Sequence, residues 1–296
     1  MNQAHSRPIL FGEVLFDRFP DGNEVLGGAP FNVAWHLRGF GENPLFISRV
    51  GDDAAGRQVR LAMTAWGMDV AGLQTDPTHP TGAVRIELID GEPRFEILPD
   101  QAYDFIYLAD VPELERPAFF YHGSLALRRE ESRTTLETLL RRLDMPVFLD
   151  VNLRPPWWAK ADILRWVARA DWVKLNQHEL ELLAPGQGDL VARAREFLAH
   201  YDLRQLLLTR GEEGALALSA SAKDEAVRPA AATRVVDTVG AGDSFTAVFL
   251  LGQLRGWPLA ATLERAQSFA SAIVGVRGAT VADRAFYQRF LADWGE

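Results

Sequence analysis

Short apolar runs alternate with helical periodicities through the second half of the chain, and this alternation constrains the fold more than any other feature. Strands are predicted at residues 119–124, 147–152, 171–176 and 205–209, and helices at 130–143, 161–170, 179–183 and 189–201. Alternating strands and helices form a mostly parallel sheet that is covered by helices on both faces. Ligands of such sheets bind beyond the carboxyl ends of the strands. We therefore expect an α/β fold with its site at that edge.

The first half of the chain adds a different pattern. Residues 9–17 read as a buried strand that continues into an extended segment, and residues 83–89 and 94–98 alternate apolar and polar side chains around an Asp90-Gly91 turn. Such a hairpin has one apolar face and cannot bury it alone. We expect one domain over residues 1–296, with a small β-sheet lid formed by about 13–26 and 81–98.

Composition limits the classes of function. The chain has 296 residues, 48% hydrophobic and 24% charged, with a net charge of -9 and no cysteine. The acidic balance argues against a nucleic-acid partner, and the missing cysteines exclude disulfides and thiolate chemistry. Since no apolar run is long enough to cross a bilayer and residues 1–8 are polar, we expect a cytoplasmic protein without a membrane partner. Its partners should be small molecules.

Residues 237–245 form the most informative motif. Gly240 and Gly242 precede an apolar helical run, so that the unpaired N–H groups of a helix start are open to an anion. Asp243 places a carboxylate inside this cradle. One interpretation is a loop with a capping aspartate. The other is a phosphoryl-transfer site, in which Asp243 accepts the proton of the attacking hydroxyl and backbone N–H groups hold the developing charge.

A second glycine pair, Gly27-Gly28, precedes Pro30 and a predicted helix to about Leu37. Asn32 lies one turn inside this helix, where asparagine is a poor helix former, which favours a ligand contact. Asp17 follows a strand end. It is either a solvated loop residue or an acceptor for substrate hydroxyls.

Polar residues also follow three strands of the predicted sheet, and they should meet at one rim. They are Asn152 with Arg154, Asn176 with Glu179, and the stretch 209–214. Asn176 and Glu179 are three residues apart on a helical turn, which suits coordination of Mg²⁺ through waters. Taken alone, this pair is more often a surface helix.

With these motifs the chain resembles the PfkB, or ribokinase-like, family of carbohydrate kinases, most closely its fructokinase-type members. The resemblance is carried by the N-terminal signature Gly27, Gly28, Asn32, Ala34, Gly41 and Gly51, the C-terminal signature 237–245, the Asn176-x-x-Glu179 motif and the Thr209-Arg210-Gly211 loop with Gly214. It implies a central sheet with flanking helices, a small β lid, MgATP bound by the C-terminal half and a sugar held between lid and sheet.

The resemblance also implies a role for individual residues. The catalytic base would be Asp243, with Gly240, Ala241 and Gly242 as the anion hole. Sugar contacts would come from Asp17, Gly28, Asn32, Asn152 and Arg154. Nucleotide contacts would come from Asn176, Thr209, Gly211, Gly214, Gly240 and Gly242. Glu179 would hold Mg²⁺ through water, and Asp237 and Val239 would bind a monovalent cation such as K⁺. The chain departs from the family at residues 155–158, Pro-Pro-Trp-Trp, next to Arg154.

The implied function is ATP-dependent phosphorylation of a sugar, with D-fructose giving fructose 6-phosphate. A sugar acid such as 2-keto-3-deoxygluconate is the alternative, and it would need Arg85, Arg94 or Arg154 to neutralise its carboxylate. A non-catalytic sugar or nucleotide sensor is the alternative from another class. An apolar hairpin face could also seal against a second copy and form a homodimer.

Overall fold

The computed structural model describes residues 7–89, 92–114, 117–229 and 235–296. The strands are β1 (Arg7–Phe11), β2 (Leu15–Arg18), β3 (Glu24–Gly27), β4 (Leu45–Gly51), β5 (Leu73–Asp76), β6 (Gly82–Ile89), β7 (Glu92–Ile97), β8 (Pro117–His122), β9 (Val147–Asp150), β10 (Trp172–Asn176), β11 (Gln205–Thr209), β12 (Ala215–Ser219) and β13 (Glu225–Val227). The helices are α1 (Ala29–Gly39), α2 (Ala54–Trp66), α3 (Glu130–Arg142), α4 (Lys160–Val167), α5 (Gln177–Leu183), α6 (Leu190–His200), α7 (Ala241–Arg255), α8 (Leu259–Val274) and α9 (Arg284–Trp294). Single 3₁₀ turns occur at Ala102–Phe105, Leu108–Asp110, Leu125–Leu127 and Gly211–Glu213.

The chain forms two compact units. The first comprises Met1–Pro117 and Ala126–Asp144, and the second comprises Ala118–Leu125 and Met145–Glu296. The single domain expected from the sequence stays a prediction.

The second unit contains the sheet order β13-β12-β11-β10-β9-β8. Strands β8 to β11 pair in parallel, while β12 and β13 pair antiparallel at the edge. The parallel strands are buried along nearly their whole length, as expected where helices cover both faces. The predicted mostly parallel sheet is therefore confirmed. Its antiparallel edge had no separate signal in the sequence.

In the first unit, β1, β4 and β5 pair in parallel in the order β1-β4-β5. The strand predicted over residues 9–17 is divided: β1 ends at Phe11 and β2 begins at Leu15. Gly12 between them has φ +151°, and a Cβ there would lie 2.5 Å from Cγ of Pro30. The chain therefore changes direction where only glycine fits against the first turn of α1.

The same unit carries the predicted small sheet, in the order β3-β2-β6-β7. The β2–β3 and β6–β7 pairs are antiparallel, and β2 pairs with β6 in parallel from Leu15–Gly82 to Arg18–Arg85. The predicted Asp90-Gly91 turn lies outside the described residues. Because side chains alternate across a strand, Asp17 and Arg18 point to opposite faces of this sheet.

A buried ion pair ties the chain after β7 to the residues that precede α3. The Arg128 guanidinium donates from Nε and Nη2 to the two carboxylate oxygens of Asp104, at 2.6 and 2.7 Å, and also to the Leu98 carbonyl at 2.7 Å. Both side chains are almost fully buried, at 5% and 0% exposure. Such a bidentate pair fixes geometry as well as charge.

Val235 and Val236, which precede α7, are exposed and belong to no strand. Within the described ranges, none of the helices combines the length and apolar character that a bilayer crossing requires.

Candidate active site

The start of α7 presents backbone N–H groups as the sequence predicts. Gly240 is the N-cap, with φ +79°, and a Cβ at this position would lie 2.4 Å from Cβ of Ala279. Two features therefore demand glycine at this position, the left-handed backbone and the close approach of Ala279. Asp243 follows in the first helical turn and is partly exposed. Its carboxylate lies at the positive end of the helix dipole.

The turn before α7 is held by Asp237. Its Oδ1 accepts the Val239 N–H at 3.0 Å, and its Oδ2 accepts the Gly278 N–H at 3.1 Å. Both carboxylate oxygens thus receive a backbone donor, and each keeps a second lone pair. This arrangement fixes the loop that carries Gly240 against the segment after α8.

A buried polar cluster lies on the strand side of the same turn. Lys174 on β10 donates to Oδ2 of Asp150 on β9 at 2.7 Å, and Thr246 on α7 approaches the same oxygen at 3.4 Å. The Thr246 hydroxyl also donates to the Gly242 carbonyl at 2.9 Å. A Cβ added to Gly242 would lie 3.4 Å from the Lys174 ammonium nitrogen. A cation is therefore packed directly beneath the anion cradle.

The charge of Lys174 is secured by its neighbours. Burial by itself lowers the pKa of the ammonium, but the carboxylates of Asp150, Asp243 and Glu179 more than offset this, so the net shift is upward. Lys174 is thus a permanent cation at neutral pH, although its side chain is only 9% exposed.

Asn176 and Glu179 form a capping box at the start of α5. The Asn176 side chain accepts the Glu179 N–H at 2.9 Å, and Glu179 Oε2 accepts the Asn176 N–H at 2.8 Å. Glu179 Oε1 accepts the Leu153 N–H at 2.7 Å, which anchors the chain after β9. Burial raises the pKa of Glu179, and its backbone donors only partly oppose that shift.

The residues predicted to bind nucleotide lie at neighbouring strand ends. Asn176 and Thr209 are partners in the parallel β10–β11 register. The following loop is closed by the Arg210 N–H, which donates to the Gly214 carbonyl at 2.8 Å. Gly214 has φ +87°, and a Cβ there would lie 1.9 Å from the Val227 carbonyl oxygen. Gly211 has φ +55° and open space around it. The structure thus brings these four residues together.

Asn152 and Arg154 follow β9. Asn152 adopts φ +37°, a left-handed conformation that non-glycine residues rarely take. The carbonyl of the preceding residue, Val151, accepts the Ser124 hydroxyl at 2.7 Å. Arg154 is exposed, and its carbonyl accepts the Trp157 N–H at 2.8 Å. An unusual conformation held by its surroundings is a common feature of ligand sites.

The predicted sugar contacts of the first unit also gather at one point. Gly28 has φ +112°, and a Cβ there would lie 2.7 Å from the Glu13 carbonyl oxygen, so packing alone requires a glycine. The Asn32 N–H donates to the Gly28 carbonyl at 2.8 Å, and the Asn32 side chain is buried. The position of a Cβ on Gly27 lies 3.8 Å from Oδ1 of Asn32 and 3.9 Å from Oδ2 of Asp17. A carboxylate and a carboxamide therefore flank a glycine surface.

Within the described residues, no cluster of three or more His, Asp or Glu side chains could enclose a metal ion. Glu179 already accepts two backbone N–H groups, which leaves one lone pair on each oxygen for a water. This donor set fits Mg²⁺ held through water, because that ion keeps several waters and takes its other ligands from substrate phosphates.

The sequence reasoning missed Lys174, Asp150 and Thr246. Their signals were present in the sequence: a lysine inside the strand at 171–176, an aspartate at the end of an apolar strand, and a threonine in an apolar helix. Residues of these three types in such positions are more often surface or capping residues. Lys174 and Asp150 become a pair only through the register of β9 and β10, in which they lie opposite each other.

Comparison with known proteins then gives the family. A model described as pfkB family carbohydrate kinase matches residues 8–284. The chain belongs to the PfkB family of carbohydrate kinases. It is therefore a phosphotransferase with a ribokinase-like fold, and its similarity is to fructokinase-type members.

Individual relatives support this assignment. The Escherichia coli fructokinase is 32% identical over 82% of this chain and 83% of its own length. The aminoimidazole riboside kinase of Salmonella typhimurium strain LT2 is 30% identical over 95% of this chain and 92% of its own length. The crystal structure of fructokinase from Vibrio cholerae O395, bound to fructose, ADP and a calcium ion, superposes with a TM-score of 0.85 at 26% identity, over 97% of this chain and 99% of that one.

Proposed function

We propose that this PfkB kinase transfers the γ-phosphoryl group of ATP to D-fructose and forms fructose 6-phosphate. The observation that carries the proposal is the start of α7, where Asp243 lies in the first turn behind the glycine N-cap. A carboxylate beside an anion cradle suits a reaction that needs a base next to a phosphoryl group. The Escherichia coli and Vibrio cholerae relatives supply the choice of sugar.

In the proposed reaction Asp243 accepts the proton of the sugar hydroxyl as that oxygen attacks the phosphoryl group. The backbone N–H groups of Gly240, Ala241 and Gly242 hold the charge that develops on the transferred group. Positioning then supplies much of the rate, since phosphoryl transfer requires alignment more than covalent help.

Binding residues complete the proposed site. Fructose hydroxyls would be held by Asp17, Gly28, Asn32, Asn152 and Arg154, and the nucleotide by Asn176, Thr209, Gly211 and Gly214 with the α7 glycines. Glu179 would hold Mg²⁺ through water, and a bound Mg²⁺ supplies charge neutralisation on the nucleotide phosphates. Asp237 and the backbone of Val239 would face a monovalent cation such as K⁺.

The paired state of basic residues in the first unit favours a neutral sugar over a sugar acid. Arg85 Nη1 lies 2.8 Å from Oε2 of Glu96, and Arg128 forms an ion pair with Asp104. A carboxylate substrate would have to compete with these acidic partners. Arg94 and Arg154 are exposed and remain the candidate partners if the substrate is an acid.

The small sheet is proposed as the lid over the sugar. Asp17 belongs to β2 of this sheet, and the glycine surface flanked by Asp17 and Asn32 adjoins it. Phe95 on β7 is 57% exposed, and a second copy of the chain that covers it would make a homodimer through the sheet. Light scattering of the wild type beside Phe95→Ser tests this: a dimer that persists in the variant contradicts the proposed interface.

The decisive experiment measures ADP release from MgATP with fructose, ribose, glucose, 2-keto-3-deoxygluconate, adenosine and aminoimidazole riboside. We expect fast turnover with fructose. Turnover only with aminoimidazole riboside or with the sugar acid would replace fructose as the acceptor and leave the kinase assignment intact. Tight ATP binding without turnover on any acceptor in the panel would favour the sensor.

A further inference from the structure

The buried cluster beneath Gly242 contains a charge that the proposed reaction has not used. Lys174 and Asp150 are 9% and 2% exposed, their atoms are 2.7 Å apart, and neither belongs to the predicted site residues. Taking two charges out of water is costly, and the same space could be filled by apolar side chains at no loss of stability. A purely structural role therefore explains this pair poorly.

The position of the lysine is the second observation. Its ammonium nitrogen lies 3.4 Å from the place where a Cβ on Gly242 would stand. Gly242 is part of the first turn of α7, whose N–H groups face the transferred phosphoryl in the proposed reaction. A side chain at residue 242 would press against this cation. The glycine leaves the approach open.

We infer that Lys174 is a positioning residue for phosphoryl transfer, which adds a fixed positive charge behind the anion cradle and holds the first turn of α7 through Asp150 and Thr246. This inference rests on the proposed kinase reaction. Two physical effects follow: an anion in the cradle is attracted, and the Asp243 carboxylate is kept in its charged form.

The connection to α7 is direct. Thr246 donates its hydroxyl to the Gly242 carbonyl at 2.9 Å and lies 3.4 Å from the carboxylate of Asp150 that Lys174 holds. Strands β9 and β10 thus fix the helix turn that carries the cradle. The charged groups whose fields reach Lys174 are Asp150 on β9, Glu179 on α5 and Asp243 on α7.

The test uses neutral replacements of similar shape, Lys174→Met and Asp150→Asn, alone and together. Lys174→Met alone leaves a buried carboxylate without its cation, so lower thermal stability is expected from this variant in any case. The double variant removes both charges and should recover most of the melting temperature. If Lys174 positions the reaction, turnover of the double variant stays at least about tenfold below wild type, because Lys174 is the nearer of the two lost charges to Gly242.

The pH profile of kcat/KM separates charge from structure. Its acid limb reports protonation of the essential base in the free enzyme. Lys174→Met should move this limb to higher pH, and Asp150→Asn, which keeps the cation, should move it to lower pH. Thr246→Val removes hydrogen bonds from the same cluster without changing a charge, and it should leave the limb in place. Restored turnover in the double variant, together with acid limbs that are unshifted in both single variants, overturns the inference.

A binding measurement decides the question even when no sugar in the panel is phosphorylated. The wild type and the double variant are titrated calorimetrically with ATP and with AMP, each in the presence of magnesium chloride. In the proposed site the γ-phosphate of ATP reaches the cradle, whereas AMP has no such group. We expect ATP affinity to fall about tenfold and AMP affinity to be unchanged. An equal loss for both nucleotides, or no loss for either, overturns the inference without bearing on which sugar is the acceptor.

Discussion

Two regions of the molecule differ in the burial of their charged residues. Beneath α7, Lys174, Asp150 and Glu179 are buried and bonded to strands or backbone. On the small sheet, Arg85 and Glu96 form an ion pair in which both side chains are more than half exposed. Buried charges act at full strength and tolerate little change, whereas exposed pairs are screened and contribute little. The first region is therefore suited to chemistry and the second to selectivity.

The largest effect should come from the proposed base, Asp243. Asp243→Asn keeps the shape of the side chain and removes the proposed proton acceptor, so turnover should fall by about 10² or more while ATP binding persists. Steady-state ADP release and ATP calorimetry measure the two quantities. Asp162→Asn, in the first turn of α4 and outside the site, is the matched control. Near-normal turnover of Asp243→Asn would remove the general base from the proposed mechanism.

The next effect concerns the backbone beside the buried cluster. Gly240→Ala should cost about 1–2 kcal/mol for a left-handed backbone and about 1–3 kcal/mol for overlap with Ala279. Gly256 at the end of α7 has φ +65° and no atom within 4 Å, so Gly256→Ala carries only the backbone cost. Urea unfolding of both variants isolates the overlap, and equal losses would show that Ala279 yields without cost.

On the side of the small sheet the expected change is in binding. Asp17→Asn should raise KM for fructose about tenfold, since hydrogen bonds to charged groups contribute about 1.5–3 kcal/mol. The melting temperature should hardly move, because Asp17 is only partly buried. Glu87→Gln on the exposed side of β6 is the control. A loss of kcat with unchanged KM would place Asp17 in the chemistry rather than in sugar binding.

Features of the two regions could be predicted from the sequence where the residues that define them are close together in the chain. The pair Asn176–Glu179 and the glycine pair at the start of α7 are defined within a few residues, so pattern and helix chemistry sufficed to single them out, although the sequence assigned the first pair to Mg²⁺ and not to the capping box that the structure shows. The small sheet was found because hairpin alternation is local as well, although the break at Gly12 was missed, since it depends on the distant Pro30.

The buried pair could not be found in this way. Lys174 and Asp150 are 24 residues apart, and they meet through strand register. Sequence reasoning had no means of fixing that register. This pairing also explains how a lysine is accommodated inside a buried strand. The free-energy cost of burying the Lys174 charge is offset by Asp150, which only the folded structure brings next to it. A charged residue inside an apolar strand thus indicates that a neighbouring strand supplies a residue of opposite charge.

The smallest effect is expected from the exposed ion pair on the small sheet. Arg85→Ala removes an exposed ion pair with Glu96, and surface pairs contribute about 0.2–1 kcal/mol before screening by salt, so the free energy of unfolding should change by less than about 0.5 kcal/mol. KM for fructose should be unchanged, because a neutral sugar has no need of this cation. Glu96→Ala, which releases the guanidinium instead, is the matched variant, and sugar kinetics with fructose and 2-keto-3-deoxygluconate measure both. If Arg85→Ala raises KM for the sugar acid alone, or Glu96→Ala lowers it, the exposed arginine selects for charge and the preference for a neutral sugar is wrong.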